Sequence, residues 1–324
     1  MASVGQVKRN LHDGFPWLYE NLGRIYRMTP YGKYRKARRN AEIARINDDL
    51  QKDFQKKIQI RFEYELRIVR EHLANDWTVR HGPFSGMKLT PVLPNSFLSP
   101  KVIGSYESPI HQWVNDAIAY DYDRILDVGC AEGYYAVGFA LKSLKSTIYA
   151  YDIDERSQKN TAALAALNGV VEKVQVRGLC TSDEFNREVS NRTLIFCDIE
   201  GSEFDLLFPD LASTLLQADL IVETHEDYRP GTIEALVSRF LPTHRIEIVY
   251  HGAKNAAEFA VLKTVPATEH ALLLDEARPR TQCWMRLLAK RPGAIEPLAK
   301  WGWVNEIPIE GCSAPPESDY ELRL

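Results

Sequence analysis

The sequence predicts an α/β fold, a doubly wound and mostly parallel seven-stranded sheet with an antiparallel edge, preceded by a helical N-terminal extension. Three observations lead there. From Arg124 onward, five short β-branched apolar runs alternate with helical segments, the pattern of right-handed βαβ crossovers. Two later strand-like runs are separated by an irregular insert, which suits an antiparallel edge. Before residue 80 the period is instead helical.

In chain order, residues 1–34 carry aromatic and basic residues broken by Gly14, Pro16 and Pro30, so short helices and turns are expected. From Lys36 to Leu73 there is no Gly or Pro. Ile43, Ile46, Leu50, Phe54, Ile58, Phe62, Leu66, Val69 and Leu73 recur there at steps of three and four. That is one long amphipathic helix, able to cover its own core or to pair with a second copy in a homodimer. Val79–Pro100 is rich in Gly and Pro and reads as loop and short strand. The expected parallel strands are Arg124–Val128, Thr147–Asp152, Val174–Arg177, Thr193–Asp198 and Asp219–Thr224. Helices are expected at Gly133–Lys142, Glu155–Leu167, Ser182–Val189, Ser202–Leu216 and Gly231–Phe240, and late strands at His244–Tyr250 and Gln282–Lys290. The implied organisation is a helical extension over 1–80, a catalytic domain over 81–290 and a Pro-rich tail over 291–324 that packs on the surface.

The 324 residues are 45% hydrophobic and 26% charged with net charge −4, ordinary values for a globular protein. The average hides a basic stretch: Arg24, Arg27, Lys33, Arg35, Lys36, Arg38, Arg39 and Arg45 against the single acid Glu42. Interleaved with Tyr26, Tyr31 and Tyr34, these residues suit phosphate contacts, but a solvated helix face accounts for them equally simply and is preferred. Cys130, Cys180, Cys197, Cys283 and Cys312 are odd in number and form no C-x-x-C pair, so neither a disulfide framework nor a zinc site is expected. The N-terminus lacks an apolar leader-like region, and nowhere do about 18 apolar residues run together. A cytoplasmic protein without a membrane span is the expectation.

The first strand runs into Ile-Leu-Asp127-Val-Gly129-Cys130-Ala131-Glu-Gly133-Tyr134-Tyr135. Gly129 permits a tight turn and close backbone approach, and Gly133 lets the next helix pack with its N-terminal amides toward a ligand. The second strand ends at Asp152, where a carboxylate can accept from both hydroxyls of a ribose. A Rossmann-like sheet with this turn departs from the dinucleotide pattern G-x-G-x-x-G. A carboxylate at the turn repels a pyrophosphate and suits a ligand carrying positive charge. A nicotinamide-dependent oxidoreductase is therefore disfavoured. Tyr134 and Tyr135 can offer a ring face to a cation.

These residues resemble the class I S-adenosylmethionine-dependent methyltransferases, and within them the FkbM-like O-methyltransferases. The likeness is carried by Gly104-Ser-Tyr-Glu107, Ile125–Gly133, Tyr151-Asp-Ile-Asp154, Cys197-Asp-Ile-Glu-Gly-Ser-Glu203 and Ile221-Val-Glu-Thr-His225, across roughly Gly82 to Lys290. The resemblance implies S-adenosylmethionine as cofactor, with Glu107 and Asp127 near its methionine part and Asp152 on the ribose. Ile153, Gly178, Leu179 and Cys180 would surround the adenine, and Asp198 would close the site.

Glu223 and His225 are two apart, so on an extended strand they share a face. With Asp198 they are expected to form a carboxylate–imidazole cluster over the transferred methyl group. His225 there is a base for an alcohol; alternatively Asp198, Glu223 and His225 hold a divalent metal such as magnesium that acidifies the hydroxyl. His251 is a secondary candidate, His244 is expected only to begin a strand, and Glu203 suits a helical first turn. The N-P-P-Y-like sequence of amino-methylating enzymes is replaced by Cys-Asp-Ile-Glu-Gly, which favours a hydroxyl acceptor. The expected reaction is methylation of a sugar, glycan or secondary-metabolite hydroxyl, with a small-molecule or glycan acceptor as partner. The alternative is a protein that keeps the fold while its basic N-terminal region binds nucleic acid or a membrane surface.

Overall fold

The structure, a computed structural model, describes residues 56–90, 98–278 and 282–291. The basic segment, the expected helix before residue 56 and the tail from residue 292 lie outside the described residues. Two compact units divide between Glu63 and Tyr64, and the sheet belongs wholly to the second.

The apolar runs form seven strands: β1 (Arg124–Val128), β2 (Thr147–Tyr151), β3 (Val174–Arg177), β4 (Thr193–Cys197), β5 (Asp219–Thr224), β6 (His244–Tyr250) and β7 (Cys283–Ala289). Their order is β3-β2-β1-β4-β5-β7-β6. The first five are parallel to one another, while β7 runs antiparallel to both β5 and β6. This is the predicted doubly wound sheet with its antiparallel edge. β4, β5 and β7 are buried along their whole length, which explains their near-continuous apolar character.

Strand order reverses between β1 and β4, whose ends are aligned with Val128 opposite Cys197. The Asp198 amide extends this ladder by donating to the Val128 carbonyl at 2.9 Å. The turn after β1 and the loop after β4 thus emerge together at the reversal point, the usual ligand crevice of such sheets.

Helices α1 (residues 56–72), α2 (Leu98–Ile103), α3 (His111–Tyr120), α4 (Tyr134–Lys142), α5 (Glu155–Leu167), α6 (Ser182–Glu188), α7 (Glu203–Leu206), α8 (Thr232–Phe240) and α9 (Ala267–Leu274) complete the described elements, with short 3₁₀ turns between them. The helix expected over Ser202–Leu216 is cut to α7 and a 3₁₀ turn at Ser213–Gln217. Pro209 is the cause: it lacks an N–H and disfavours helical backbone in the residue before it. The stretch expected as loop up to Pro100 ends in the wholly buried α2. Glu65 holds the start of α2, accepting from the Leu98 amide at 2.9 Å and the Ser99 hydroxyl at 2.8 Å. Among the described residues no helix is long and apolar enough to cross a membrane. The four described cysteines, Cys130, Cys180, Cys197 and Cys283, are free and buried.

Candidate active site

The turn after β1 is built tightly against its surroundings. Gly129 has φ +89°, and a Cβ there would lie 1.7 Å from the Asp198 carbonyl oxygen. The Gly129 and Cys130 amides both donate to the Tyr151 carbonyl, at 2.9 and 3.0 Å. Ala131 takes a left-handed conformation, φ 47°, and its amide donates to Asp152 Oδ2 at 2.9 Å. At Gly133 (φ +91°) a Cβ would meet Thr161 of α5 at 2.9 Å, so the glycine lets the start of α4 sit hard against α5.

Asp127 is 2% exposed. Burial pushes its carboxyl up to about 8, against a hydrogen bond from the Ala136 amide, and the neighbouring Asp198, Asp152 and Glu107 charges push the same way. Its Oδ2 is buried with no hydrogen-bond partner. A buried carboxylate oxygen left unpaired is costly and marks a place where a cation or donor belongs.

Glu107 is buried in a left-handed conformation and accepts from the Tyr135 hydroxyl and the Arg278 guanidinium. Arg278 also bonds Glu223, Glu276 (3.1 Å) and the Tyr106 hydroxyl (3.0 Å). Lys254 shares Glu276. Lys101, on α2, pairs with Glu132 and lies over the Tyr106 and Tyr134 rings at 4.5 and 5.4 Å. Burial lowers its ammonium to about 7. Tyr134 and Tyr135 are themselves buried, and Tyr135 stacks on Phe196 of β4 at 3.9 Å. Tyr134 offers its face to Lys101, while Tyr135 spends its hydroxyl on Glu107.

Beyond β2 and β3, Ile153 and Leu179 are 79% and 66% exposed, an unusual state for large apolar side chains, whereas Cys180 is buried. The β2–β3 register pairs Tyr151 with Arg177, so Ile153 and Leu179 each follow two residues past a paired position at the sheet edge. Asp152, between Tyr151 and Ile153, receives the Ala131 and Asp154 amides (2.9 and 2.8 Å). Its oxygens retain lone pairs for hydroxyl donors. This set suits a ligand with a positively charged head near Asp127 and Glu107, a diol at Asp152, and a flat apolar group at Ile153 and Leu179.

The cluster after β4 and β5 differs from expectation in one member. His225 Nδ1 lies 2.9 Å from Oε1 of Glu203, which is wholly buried and also receives the Ile199 amide at 2.9 Å. Its Nε2 faces Asp198 Oδ1 at 3.6 Å and Glu200 Oε2 at 3.4 Å. Asp198, Glu203 and His225 therefore come together, and Glu203 takes the place expected of Glu223. Alternation of side chains holds only inside a strand. β5 ends at Thr224, and His225 begins a turn in which its carbonyl accepts from Tyr228 and Arg229. Glu223, still in the strand, is taken by Arg278 and by Gln282 Nε2 at 2.6 Å. Gln282 also approaches His225 Nε2 at 3.4 Å.

The His225 imidazole is raised by Glu203, Asp198 and Glu200 against the opposing effect of burial. Desolvation pushes the Asp198 carboxyl up from its ordinary value, offset by His225 and Arg278. His244 is buried on the Ala218 carbonyl at 2.9 Å, as expected of a strand start, and burial lowers the His251 imidazole.

Glu200, Glu203, Arg278, Lys101 and Gln282 are not marked as site residues by the sequence. Glu203 is visible there only as a first-turn acid, and Arg278 lies in an insert with no periodicity.

No protein-family profile matches the chain, and no curated protein sequence does. Among solved structures, it is similar to the O-methyltransferase TomG from Streptomyces achromogenes, involved in tomaymycin synthesis and in complex with SAM. That likeness has 10% identity over 70% of this chain and 88% of that one, TM-score 0.39. An rRNA methylase from Streptococcus thermophilus shares 12% identity over 55% and 95% of the two chains, TM-score 0.38. A ribosomal protein L11 methylase from Lactobacillus delbrueckii subsp. bulgaricus shares 19% over 56% and 80%, TM-score 0.34. At these identities and scores the likenesses assign neither reaction nor acceptor.

Proposed function

We propose that this protein is an S-adenosylmethionine-dependent methyltransferase acting on a hydroxyl of a small-molecule or glycan acceptor. The observation that carries the reading is the carboxylate-lined crevice at the strand reversal. Asp127 presents a buried, unpaired oxygen there, and the site continues to Asp152 and the exposed Ile153 and Leu179. A sulfonium and an ammonium suit the acidic end, a ribose suits Asp152, and an adenine suits the apolar pair. A pyrophosphate would meet the Glu107 and Asp152 carboxylates as like charges and would find no cation at Asp127.

S-adenosylmethionine supplies the electrophilic methyl group. The protein's own residues hold it, exclude water with the Tyr106–Tyr134–Tyr135 aromatic wall, and align the acceptor beside Asp198 and His225. Alignment of this kind contributes several kcal/mol. The acceptor hydroxyl is activated at the Nε2 edge of His225, because Nδ1 is committed to Glu203. Hydroxyl rather than amine methylation is favoured by Cys-Asp-Ile-Glu-Gly after β4 and by the acidic character of the cluster.

Calorimetry with S-adenosylhomocysteine on the wild type and on Asp152→Ala tests the reading. Wild-type binding that weakens at least tenfold in the variant is expected. A wild-type protein that binds no S-adenosylhomocysteine would end it.

A further inference from the structure

The loop after β4 and the turn after β5 together direct more negative charge at one imidazole than proton transfer requires. A histidine base needs one carboxylate to orient its ring, and Glu203 does that through Nδ1 at 2.9 Å. Asp198 Oδ1 and Glu200 Oε2 additionally face Nε2, at 3.6 and 3.4 Å. Both separations are longer than a good charge-assisted hydrogen bond. Each is instead near the separation of two ligands on one ion, about 3.4 Å for bonds near 2.1 Å, and Glu200, whose side chain is 72% exposed, is free to swing in and close the set. Backbone conformation serves the arrangement: Glu200 has φ 54° and Gly201 φ 99°, which bring the Glu200 carboxylate back toward His225.

A second observation is independent of these distances. Asp198 Oδ1, the atom facing Nε2, is buried without a hydrogen-bond partner, and so is Oε2 of the wholly buried Glu203. Buried carboxylate oxygens without donors are rare and expensive, and a cation beside Nε2 is the simplest group that satisfies Asp198 Oδ1.

We infer that Asp198, Glu200 and His225 Nε2 form a divalent-cation site, with Glu203 holding His225 in the tautomer that leaves Nε2 free to ligate. The carboxylate–histidine–metal relay is a common way to fix a ligating ring. One imidazole and several carboxylate oxygens suit Mn²⁺ or Zn²⁺ better than Mg²⁺, which prefers an all-oxygen shell. The site differs from the Asp198, Glu223 and His225 set expected from sequence, since Glu223 is committed to Arg278. Its catalytic consequence rests on the methyltransferase reading: a bound cation lowers the pKa of a coordinated acceptor hydroxyl. Its existence does not.

The test uses the full chain stripped with chelator and titrated with Mn²⁺ in the absence of cofactor, followed by electron paramagnetic resonance. The expected result is one ion per chain with nitrogen hyperfine modulation from an imidazole ligand. Asp198→Asn and His225→Ala should each weaken binding at least tenfold, and His225→Ala should lose the nitrogen modulation. Glu203→Gln should weaken binding about 10- to 100-fold. Far-ultraviolet circular dichroism and urea unfolding midpoints of the same variants report their folding. Absence of stoichiometric Mn²⁺ in the wild type, or a bound ion without nitrogen modulation, overturns the cation site. In that case intact S-adenosylhomocysteine binding leaves the methyltransferase standing with His225 as a metal-free base. Mn²⁺ binding without any S-adenosylhomocysteine binding has the opposite meaning.

Discussion

Asp127 makes a prediction that joins stability to function. Its carboxyl is pushed from 3.8 to about 8 by burial, so the cofactor-free protein carries it protonated at neutral pH while the unfolded chain carries it ionised. The raised folded pKa means stability is fully present below about pH 4 and is lost as pH rises toward 8. The unfolded state binds fewer protons throughout that window. At about 1.4 kcal/mol per pH unit, the whole window is worth roughly 6 kcal/mol as a ceiling, and relaxation around the charge reduces it to several kcal/mol. Asp127→Asn keeps an oxygen for the Ala136 amide and removes the titration. The cofactor-free variant should therefore be more stable than the wild type at pH 8, with the gap closing toward pH 5. It should also bind S-adenosylhomocysteine at least tenfold more weakly, because the charged partner of the ammonium is gone. Urea unfolding midpoints of both proteins between pH 5 and 9 check this. Parallel midpoints across that range would refute the assignment of Asp127 as a buried, strained acid.

Three further outcomes are expected. Arg278→Ala should destabilise the protein by about 3–5 kcal/mol, because Glu107 and Glu223 are left buried without their cation; a urea midpoint within experimental error of wild type would contradict the network. Gly129→Ala should cost more than about 3 kcal/mol, since the new Cβ overlaps the Asp198 carbonyl in a backbone region closed to alanine. Thermal melting measures it, and an unchanged melting temperature would show that the two loops are not in contact. His225→Ala should lose about 10²- to 10⁴-fold in turnover of an identified acceptor while S-adenosylhomocysteine affinity changes less than twofold; full turnover would remove His225 from the reaction.

The sheet is legible in the sequence because buried strands leave continuous apolar runs whose spacing survives without any tertiary knowledge. The Asp127–Gly133 turn is legible for a related reason: its glycines and acids answer to local backbone geometry. The limits fall where long-range contacts decide. Pro209 is present to be read, yet the apolar spacing of Leu206, Leu207 and Leu216 outweighs it in a reading by period. Extending strand alternation one residue past Thr224 places Glu223 beside His225 in expectation. In the structure Arg278, 55 positions away in sequence, takes Glu223, and Glu203 turns toward the ring. Nothing in the insert between β6 and β7 marks Arg278 as a partner for Glu107, since its contacts are made across the fold rather than along a helix or strand.

The contact between Gly129 and the Asp198 carbonyl has a further implication for how such a protein can diversify. On the proposed reading, the floor of the cofactor cradle and the first residue of the acceptor loop share one van der Waals boundary, so neither can be remodelled alone. Insertions that widen the acceptor side within residues 198–203 would lift the β1 turn with them and be read out as weaker cofactor affinity. New acceptors are more readily accommodated by changes in the segment between β6 and β7 that keep Lys254, Glu276, Arg278 and Gln282, since that segment reaches Glu223 and His225 without touching the Gly129 boundary.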